Sequence, residues 1–287
     1  MEDQILHAMV CDGQAALLMI HSSSAALEAK TLLKLNDGVS MALGRLLSAG
    51  ALLAQRNKSE SEKLTLIIDG GGPAGKLLVT ADNRGNVKGC ADHPDACVPT
   101  GKIQLPALVG KSGQLTVIRD NPVGEPYVGI CNIVAGDINR DFAAYLVTSE
   151  QQPAAVALDC GYENGKFTCG GILVLPMPGC DLAVLDQIEQ KIHAAEDLLH
   201  RLNYHLSLEE MAFDMFWDVG VKPLETVPLR YFCDCSKERF EQALISLGKN
   251  ELLSLAYEDA DTEICCRFCG KKYVFSRDAL KELAKEL

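Results

Sequence analysis

The chain is 287 residues long, 48% of them hydrophobic, and carries a formal net charge of −12 at pH 7. This length and apolar content predict one large buried core plus a smaller unit, and they exclude global disorder. The acidic charge argues against sequence-independent binding of nucleic acid, and no apolar run approaches the roughly eighteen residues that a transmembrane helix needs.

The N-terminus begins MEDQ, which is acidic where the start of a secretory signal would be basic. We therefore expect a cytoplasmic protein whose twelve cysteines are mostly reduced. Seven cysteines stand alone in the sequence, and each is expected to be a small buried apolar side chain: Cys11, Cys90, Cys97, Cys131, Cys160, Cys169 and Cys180.

Residues 1–179 are predicted to form a large N-terminal domain of mixed α/β-sheet structure, of class α+β, because short alternating apolar patterns recur between Gly- and Asn-rich turns. The predicted strands are Ala15–Ile20, Leu64–Asp69, Lys76–Ala81, Gln114–Arg119, Tyr127–Ile130, Ala155–Leu158 and Ile172–Leu175. The predicted helices are Ser24–Leu35, Val39–Gln55 and Asp141–Ser149.

The segment Gly70–Leu77, GGGPAGKL, nearly spells a phosphate-binding loop. The position where Ser or Thr would bind Mg²⁺ is Leu77, and a strand-like segment follows where such a loop needs a helix. We therefore interpret the segment as the turn of a β-hairpin.

Residues 180–226 are predicted to be a helical linker. Apolar residues at steps of three and four predict one continuous stripe: Leu182, Leu185, Ile188, Ile192, Ala195, Leu199 and Leu202. A second helix is predicted to start at Ser207, with Glu210 as its capping-box partner, and to run to about Trp217. These helices are expected to face the core. A sharper hypothesis is that they dock on the large domain only while the C-terminal unit is folded.

Residues 227–287 are predicted to form a small C-terminal domain. Ser236 should cap a helix that ends near Leu247, and a strand at Tyr273–Phe275 should precede a closing helix from Ser276. About sixty residues with few aromatic side chains bury little surface, so such a unit usually needs a metal or disulfides.

Two close cysteine pairs in this domain predict a metal site. Cys233 and Cys235 are separated by one residue, and Cys266 and Cys269 by two. Four thiolates in two pairs favour one tetrahedral Zn²⁺ per chain. Gly270 would let the chain turn under the metal, where backbone N–H groups can donate to sulfur. A site closed by four thiolates leaves no open position for catalysis, so we do not expect an enzyme.

The spacing of the first pair favours a redox-sensitive site over a permanent one. Two sulfurs separated by a single residue, Cys233 and Cys235, are close enough to oxidise to each other. Zinc-bound thiolates also stay open to peroxide or hypochlorous acid. Cys265 is ambiguous because it adjoins Cys266, but only Cys266 gives the two-residue spacing before Cys269.

Two other functions compete with a redox switch. A zinc-ribbon protein that binds nucleic acid is the main alternative, but residues 233–287 contain nine Lys and Arg against eleven Asp and Glu. A thiol–disulfide oxidoreductase is the second alternative, and neither pair lies in the βαβ context that a thioredoxin-like site requires.

With these motifs in hand, the whole chain resembles the heat shock protein 33 family of redox-regulated bacterial chaperones. The resemblance runs through the segments Ala42–Leu47, Asp69–Pro73, Ala81–Gly89, Ser149–Pro153, Gly170–Gly171 and Phe232–Arg239, and through the cysteine pair Cys266 and Cys269 with Tyr273. Departures are small. Cys90 stands where the family pattern suggests an aromatic residue, and Cys265 adds a thiol beside the second pair.

The resemblance implies a chaperone that holds unfolding client proteins without ATP. By this analogy the reduced protein is an inactive, zinc-bound monomer. Oxidation forms the disulfides Cys233–Cys235 and Cys266–Cys269, releases zinc and unfolds the C-terminal domain with its linker. The exposed surfaces then bind clients, and the active form dimerises. No nucleic-acid or membrane partner is implied.

Overall fold

The computed structural model describes residues 1–98, 103–120, 124–194, 197–257, 261–285 and 287. These residues divide into two compact units, Met1–Phe232 and Cys233–Leu287. Both units mix helices with antiparallel strands, so the predicted class, α+β with a large sheet domain, a helical segment and a small four-cysteine domain, is confirmed.

The first unit contains two sheets. Its strands are β1 Gln4–Val10, β2 Ala15–His21, β3 Leu64–Asp69, β4 Leu77–Ala81, β5 Asn86–Ala91, β6 Gln114–Arg119, β7 Tyr127–Asn132, β8 Ala155–Glu163, β9 Lys166–Pro176, β10 Val221–Pro228 and β11 Arg230–Tyr231. The five-stranded sheet has the order β10-β1-β2-β9-β8, and the six-stranded sheet has the order β11-β5-β4-β3-β6-β7. All neighbours are antiparallel except β11 and β5.

One long helix fills the main core between strands of both sheets. The helices of this unit are α1 Ser23–Leu33, α2 Asp37–Ala54, α3 Leu105–Val109, α4 Ile138–Thr148, α5 Leu182–Ala194, α6 Leu198–Tyr204 and α7 Leu208–Phe216. Helix α2 contacts β4 and β5 of one sheet and β8 and β9 of the other. Fourteen of its eighteen residues are buried, as expected for a helix enclosed on more than one side.

Every strand and helix predicted for residues 1–179 is present, with ends shifted by a few residues and β8 and β9 longer than predicted. Strands β1 and β5 and helix α3 were not predicted. Strand β10 was also missed because its sequence, VKPLETVP, contains two prolines and reads as a loop. Proline is tolerated there because β10 is an edge strand that pairs only with β1.

The glycine-rich segment after β3 is the turn of a hairpin, as predicted, because β3 and β4 pair antiparallel on either side of it. Its glycines allow a close approach to the end of α3. A Cβ on Gly70 would lie 2.4 Å from the Val109 carbonyl oxygen, and one on Gly72 would lie 2.4 Å from that of Leu108. These contacts give the glycines a packing role without any phosphate.

The predicted continuous helix from Leu182 to Leu202 is wrong, because α5 ends at Ala194 and α6 begins at Leu198. The predicted stripe residue Ala195 lies outside the described residues. Helix α7 begins where predicted, with the N–H of Glu210 donating to Ser207 Oγ at 3.1 Å.

The linker helices bury their apolar residues against one face of the five-stranded sheet. The second core contains Leu185, Ile188, Ile192, Leu198, Leu202, Leu208, Met211, Met215 and Phe216 together with Leu6, Leu17, Met19, Ile172 and Val174. The predicted core-facing role of this segment is therefore confirmed. In the described part of the chain, no helix combines the length and the apolar character of a membrane span.

The second unit is small. It contains α8 Lys237–Ser246, α9 Lys249–Tyr257, β12 Thr262–Cys265, β13 Lys272–Phe275 and α10 Arg277–Leu283. Ser236 caps α8 as predicted, and Ser276, where the closing helix was predicted to start, caps α10; each accepts a backbone N–H at 3.3 Å. Helix α9 and strand β12 were not predicted. The buried apolar residues of its core are Leu244, Leu252, Ala256, Tyr273, Phe275, Leu280 and Ala284.

Candidate metal centre

The two predicted cysteine pairs meet at one point of the second unit. The sulfurs of Cys233 and Cys266 are 3.6 Å apart, and those of Cys235 and Cys269 are 3.4 Å apart. All four sulfurs lie within 4.8 Å of one another. Zn–S bonds of about 2.3 Å in a tetrahedron place sulfurs about 3.8 Å apart, so the four thiols fit a tetrahedral ion.

The cluster joins two parts of the chain that the sequence separates. Cys233 and Cys235 lie just before α8, and Ser236, which caps that helix, follows them directly. Cys266 and Cys269 lie in the turn between β12 and β13. A cation bound by all four sulfurs would therefore tie the start of α8 to this hairpin.

The turn holding the second pair has the predicted geometry. Gly270 has a φ of +71°, which favours glycine, and its N–H donates to the Cys266 carbonyl at 2.8 Å. The N–H of Cys266 donates in turn to the carbonyl of Lys271 at 2.9 Å. The chain reverses around Cys269, so both sulfurs of the pair point to the same side.

Backbone N–H groups donate to two of the sulfurs, and one of these donors lies in the turn of the second pair, where the sequence predicted it. The N–H of Lys271 is hydrogen-bonded to the sulfur of Cys269, and the N–H of Cys235 to the sulfur of Cys233. Such donors favour the thiolate form, which is the form that binds a metal.

The four thiols cannot all ionise without a cation. Burial tends to raise the pKa of Cys235, but hydrogen bonds from Tyr273 and the neighbouring thiols outweigh it and lower that pKa to about 7. Burial raises the pKa of Cys233 and of Cys269. One thiolate is therefore favoured near neutral pH, and a bound divalent cation would have to displace the remaining protons.

Cys265 lies outside the cluster although it adjoins Cys266. Its side chain is exposed, and its thiol lies 3.4 Å from the carbonyl oxygen of Gly270. The four-sulfur group that the structure brings together contains Cys266 instead.

Comparison with known proteins identifies the family. The sequence profile of the Hsp33 protein family matches residues 3–276. The chain belongs to the Hsp33 family. A 33 kDa chaperonin of Caldanaerobacter subterraneus is 37% identical over 100% of this chain and 99% of the relative. A 33 kDa chaperonin of Clostridioides difficile is 34% identical over the full length of both chains.

A solved structure agrees with this assignment. The crystal structure of the 33 kDa chaperonin, an Hsp33 homologue, from Thermotoga maritima superposes with a TM-score of 0.86 at 26% identity, covering 100% of this chain and 99% of that one. The resemblance seen in the sequence is thus confirmed over the whole length, and the chain is a member of a family of molecular chaperones.

The isolated cysteines of this Hsp33 protein follow the prediction only in part. Five are buried: Cys11, Cys90, Cys131, Cys160 and Cys169. The prediction is wrong for Cys97, which is exposed, and for Cys180, which is half-buried. Both lie in connecting segments, where a small side chain has no sheet or helix to cover it.

One supporting residue of the centre was not predicted from the sequence. Tyr273 was assigned to a strand, but its hydroxyl lies 3.0 Å from the carbonyl oxygen and 3.2 Å from the sulfur of Cys235. Its ring packs on Phe240 with centroids 4.9 Å apart. An aromatic residue that carries a hydroxyl, four positions after the last cysteine of the pair, was the available signal.

Proposed function

We propose that this Hsp33 protein is a redox-regulated, ATP-independent holdase that binds unfolding proteins after oxidation forms disulfides and releases zinc. The observation that carries the proposal is the cluster of four sulfurs, within 4.8 Å of one another, in a unit with a very small apolar core. In this proposal, residues 1–179 form a core domain, residues 180–226 a helical linker and residues 227–287 a zinc-binding switch.

The small core makes the switch unit dependent on its metal. Its buried apolar side chains are few, and its folding free energy from burial alone is correspondingly small. Zn²⁺ bound by four thiolates would supply the missing free energy, since such sites contribute on the order of 10–16 kcal/mol in small domains. Cys233, Cys235, Cys266 and Cys269 are the proposed ligands, one ion per chain.

The same sulfurs are the proposed targets of the oxidant. Peroxide would take two electrons from each cysteine pair, forming the disulfides Cys233–Cys235 and Cys266–Cys269, while its oxygens leave as water. Disulfide sulfur no longer holds the ion. Disulfides between cysteines close in sequence are favoured. Once the unit has unfolded, the contacts between the two pairs are lost, but the two cysteines within each pair remain near each other.

Release of the linker would expose the surface that holds clients. Ile188, Met211 and Phe216 are buried against the five-stranded sheet, where they contact the side of the sheet that carries Leu17 and Met19. If the linker unfolds together with the switch, both surfaces become exposed and apolar. An apolar surface of that size is suited to bind unfolding proteins, and also to bring two oxidised chains together as a homodimer.

The remaining assignments follow from the same site. Four thiolates fill a tetrahedral centre and leave no position for a substrate, so we propose no enzymatic activity. Thiols that must stay reduced until stress fit the cytoplasm. The acidic balance of residues 233–287 gives phosphate no attractive surface, so we propose no nucleic-acid partner, and we propose no membrane partner.

The test combines three measurements on one sample of reduced, zinc-loaded protein. Peroxide with mild heat should release one zinc per chain, oxidise the four thiols of the metal centre and switch on suppression of aggregation of a thermally unfolding client. The variant Cys265→Ser is the matched control and should behave like the unaltered chain. Zinc release without any effect on aggregation would contradict the holdase assignment.

A further inference from the structure

Two cysteines that the metal centre does not use lie opposite each other in the first unit. Strands β8 and β9 form a hairpin joined by Asn164 and Gly165, whose φ values of +52° and +77° suit a tight two-residue turn. Counting back from the turn, Cys160 on β8 pairs directly with Cys169 on β9.

The two cysteines occupy a non-hydrogen-bonded pair of the ladder. The N–H of Cys169 donates to Ser23 Oγ at 3.0 Å, and its carbonyl accepts the N–H of Ser22 at 2.9 Å. Both backbone groups therefore point away from β8. In such pairs the Cα atoms are about 4.5 Å apart, which lies within the range of about 4.4–6.8 Å that disulfides span.

The two sulfurs share one small space above helix α2. A Cβ on Gly44 would lie 2.5 Å from the sulfur of Cys160 and 3.0 Å from that of Cys169. The two sulfurs are therefore neighbours above the same glycine. Both are buried, in a separate cluster with Ala26 and Phe167. The sulfurs thus face each other on one side of the hairpin, as a disulfide requires.

The surroundings distinguish the two thiols. Burial raises the pKa of Cys160. Burial acts in the same direction on Cys169, but hydrogen bonds from Cys160 and two serines outweigh it and lower the pKa of Cys169. One of these serines is Ser48, whose hydroxyl lies 3.5 Å from the Cys169 sulfur. Because the Ser48 hydroxyl lies beside the Cys169 sulfur and can stabilise a thiolate there, we assign Cys169 as the thiol that reacts first and Cys160 as the one that resolves it.

We infer that Cys160 and Cys169 form a second redox-active dithiol, which peroxide converts to a cross-strand disulfide independently of the metal centre. The Cys169 thiolate attacks one peroxide oxygen, the O–O bond breaks, and a sulfenic acid and one water result. The Cys160 sulfur then attacks the Cys169 sulfur, which forms the S–S bond and releases the second water. The two sulfurs lose two electrons, and the peroxide gains them.

Peptide mapping of the full-length, zinc-loaded chain tests this inference. After treatment with hydrogen peroxide, remaining thiols are alkylated in denaturant, and the protein is digested with trypsin without reduction. Lys166 lies between the two cysteines, so their disulfide joins two separate tryptic peptides. The second peptide also contains Cys180, so fragmentation must assign the bond to Cys169.

The expected result is a linked pair of peptides that contains Cys160 bonded to Cys169 in the monomeric fraction. The link should vanish in Cys160→Ser, where Cys169 becomes available to the alkylating reagent or stops at sulfenic acid. It should persist in Cys131→Ser, which removes another buried thiol. It should also persist when Cys233 and Cys266 are both replaced by serine, which separates this reaction from the proposed switch.

Two results would overturn the inference. Both are measured on the unaltered chain, so neither depends on the folding of a variant. In the first, Cys160 and Cys169 both remain alkylatable at a peroxide dose that has consumed the four thiols of the metal centre. In the second, either residue is found bonded to a different cysteine or oxidised to sulfinic acid without any Cys160–Cys169 link.

Discussion

The hydroxyl of Tyr273 lies 3.2 Å from the sulfur of Cys235, although 38 residues separate them in the sequence. Strand β13 follows the second cysteine pair in the sequence, and through Tyr273 it also contacts the first pair. The hydrogen bond to Cys235 raises the pKa of Tyr273, so the phenol stays protonated and can donate to a thiolate at neutral pH. Groups that donate to a metal-bound sulfur orient it and tune its affinity.

Replacing Tyr273 by Phe should weaken zinc retention without unfolding the unit. The ring would still pack on Phe240, but the sulfur of Cys235 would lose a donor. We expect zinc affinity to fall by about 10-fold to 100-fold, measured by competition with a chromophoric chelator. Tyr257→Phe is the matched control, because Tyr257 is exposed in the same unit. Equal affinities for both variants would show that the hydroxyl does not support the metal.

The parts of this centre that depend on one short motif could be predicted from the sequence. Contacts between residues that are distant in the sequence could not. The spacing of Cys266 and Cys269 with Gly270 predicted the turn, because the φ and hydrogen bonds of that turn are local properties. The support from Tyr273 depends on how β13 packs beside α8, and no local pattern encodes it. The same limit applies to strand β10, which becomes a strand only because β1 offers it an edge.

Cys265 and Cys266 should respond differently to the same substitution. Cys266 is buried in the four-sulfur group, whereas Cys265 is exposed and outside it. We expect Cys265→Ser to retain one zinc per chain and Cys266→Ser to lose most of it, as measured by metal analysis after gel filtration in dilute chelator. If serine at 265 also abolished zinc binding, the assignment of Cys266 as the ligand would be wrong.

Glu150 should make the first unit sensitive to acid. One of its oxygens lies 2.6 Å from Arg119 Nη2 and 3.1 Å from the Tyr145 hydroxyl, and the other contacts Arg56. Burial tends to raise the pKa of Glu150, but the two arginines outweigh it and lower that pKa. A depressed folded-state pKa stabilises the fold above the unfolded-state value of about 4.3, and this stabilisation is lost as the pH falls through the folded-state value.

The substitution Glu150→Gln should therefore lower the free energy of unfolding of this unit by about 1–3 kcal/mol at pH 7. The difference from the unaltered chain should begin to shrink below about pH 4.3, where the unfolded chain takes up a proton, and should vanish once the pH falls below the lowered folded-state pKa. Urea unfolding followed by circular dichroism at several pH values gives both quantities. Glu60→Gln, at an exposed position, should change neither. If the difference in free energy of unfolding between Glu150→Gln and the unaltered chain stayed constant down to pH 3, the carboxylate would not be its cause.

Alanine at position 44 should destabilise the protein, because the cysteine side chains above the glycine leave too little space for a methyl group. Inside a helix such as α2, alanine is normally favoured over glycine by about 1 kcal/mol. Here the new methyl group would lie 2.5 Å from the sulfur of Cys160, which is itself buried, so neighbouring atoms would have to move. Overpacking of this kind destabilises by about 1–3 kcal/mol, so Gly44→Ala should lower the free energy of unfolding.

A second substitution identifies the cause of that loss. In the background of Cys160→Ala the nearest sulfur is absent and the Cys169 sulfur, 3.0 Å from the new methyl group, is the closest atom left. Gly44→Ala should then be less destabilising, with a coupling of at least about 0.5 kcal/mol between the two sites. The background Cys131→Ala removes a buried thiol elsewhere and should show no coupling. If Gly44→Ala were equally destabilising in both backgrounds, the Cys160 sulfur would not be what limits the space above Gly44.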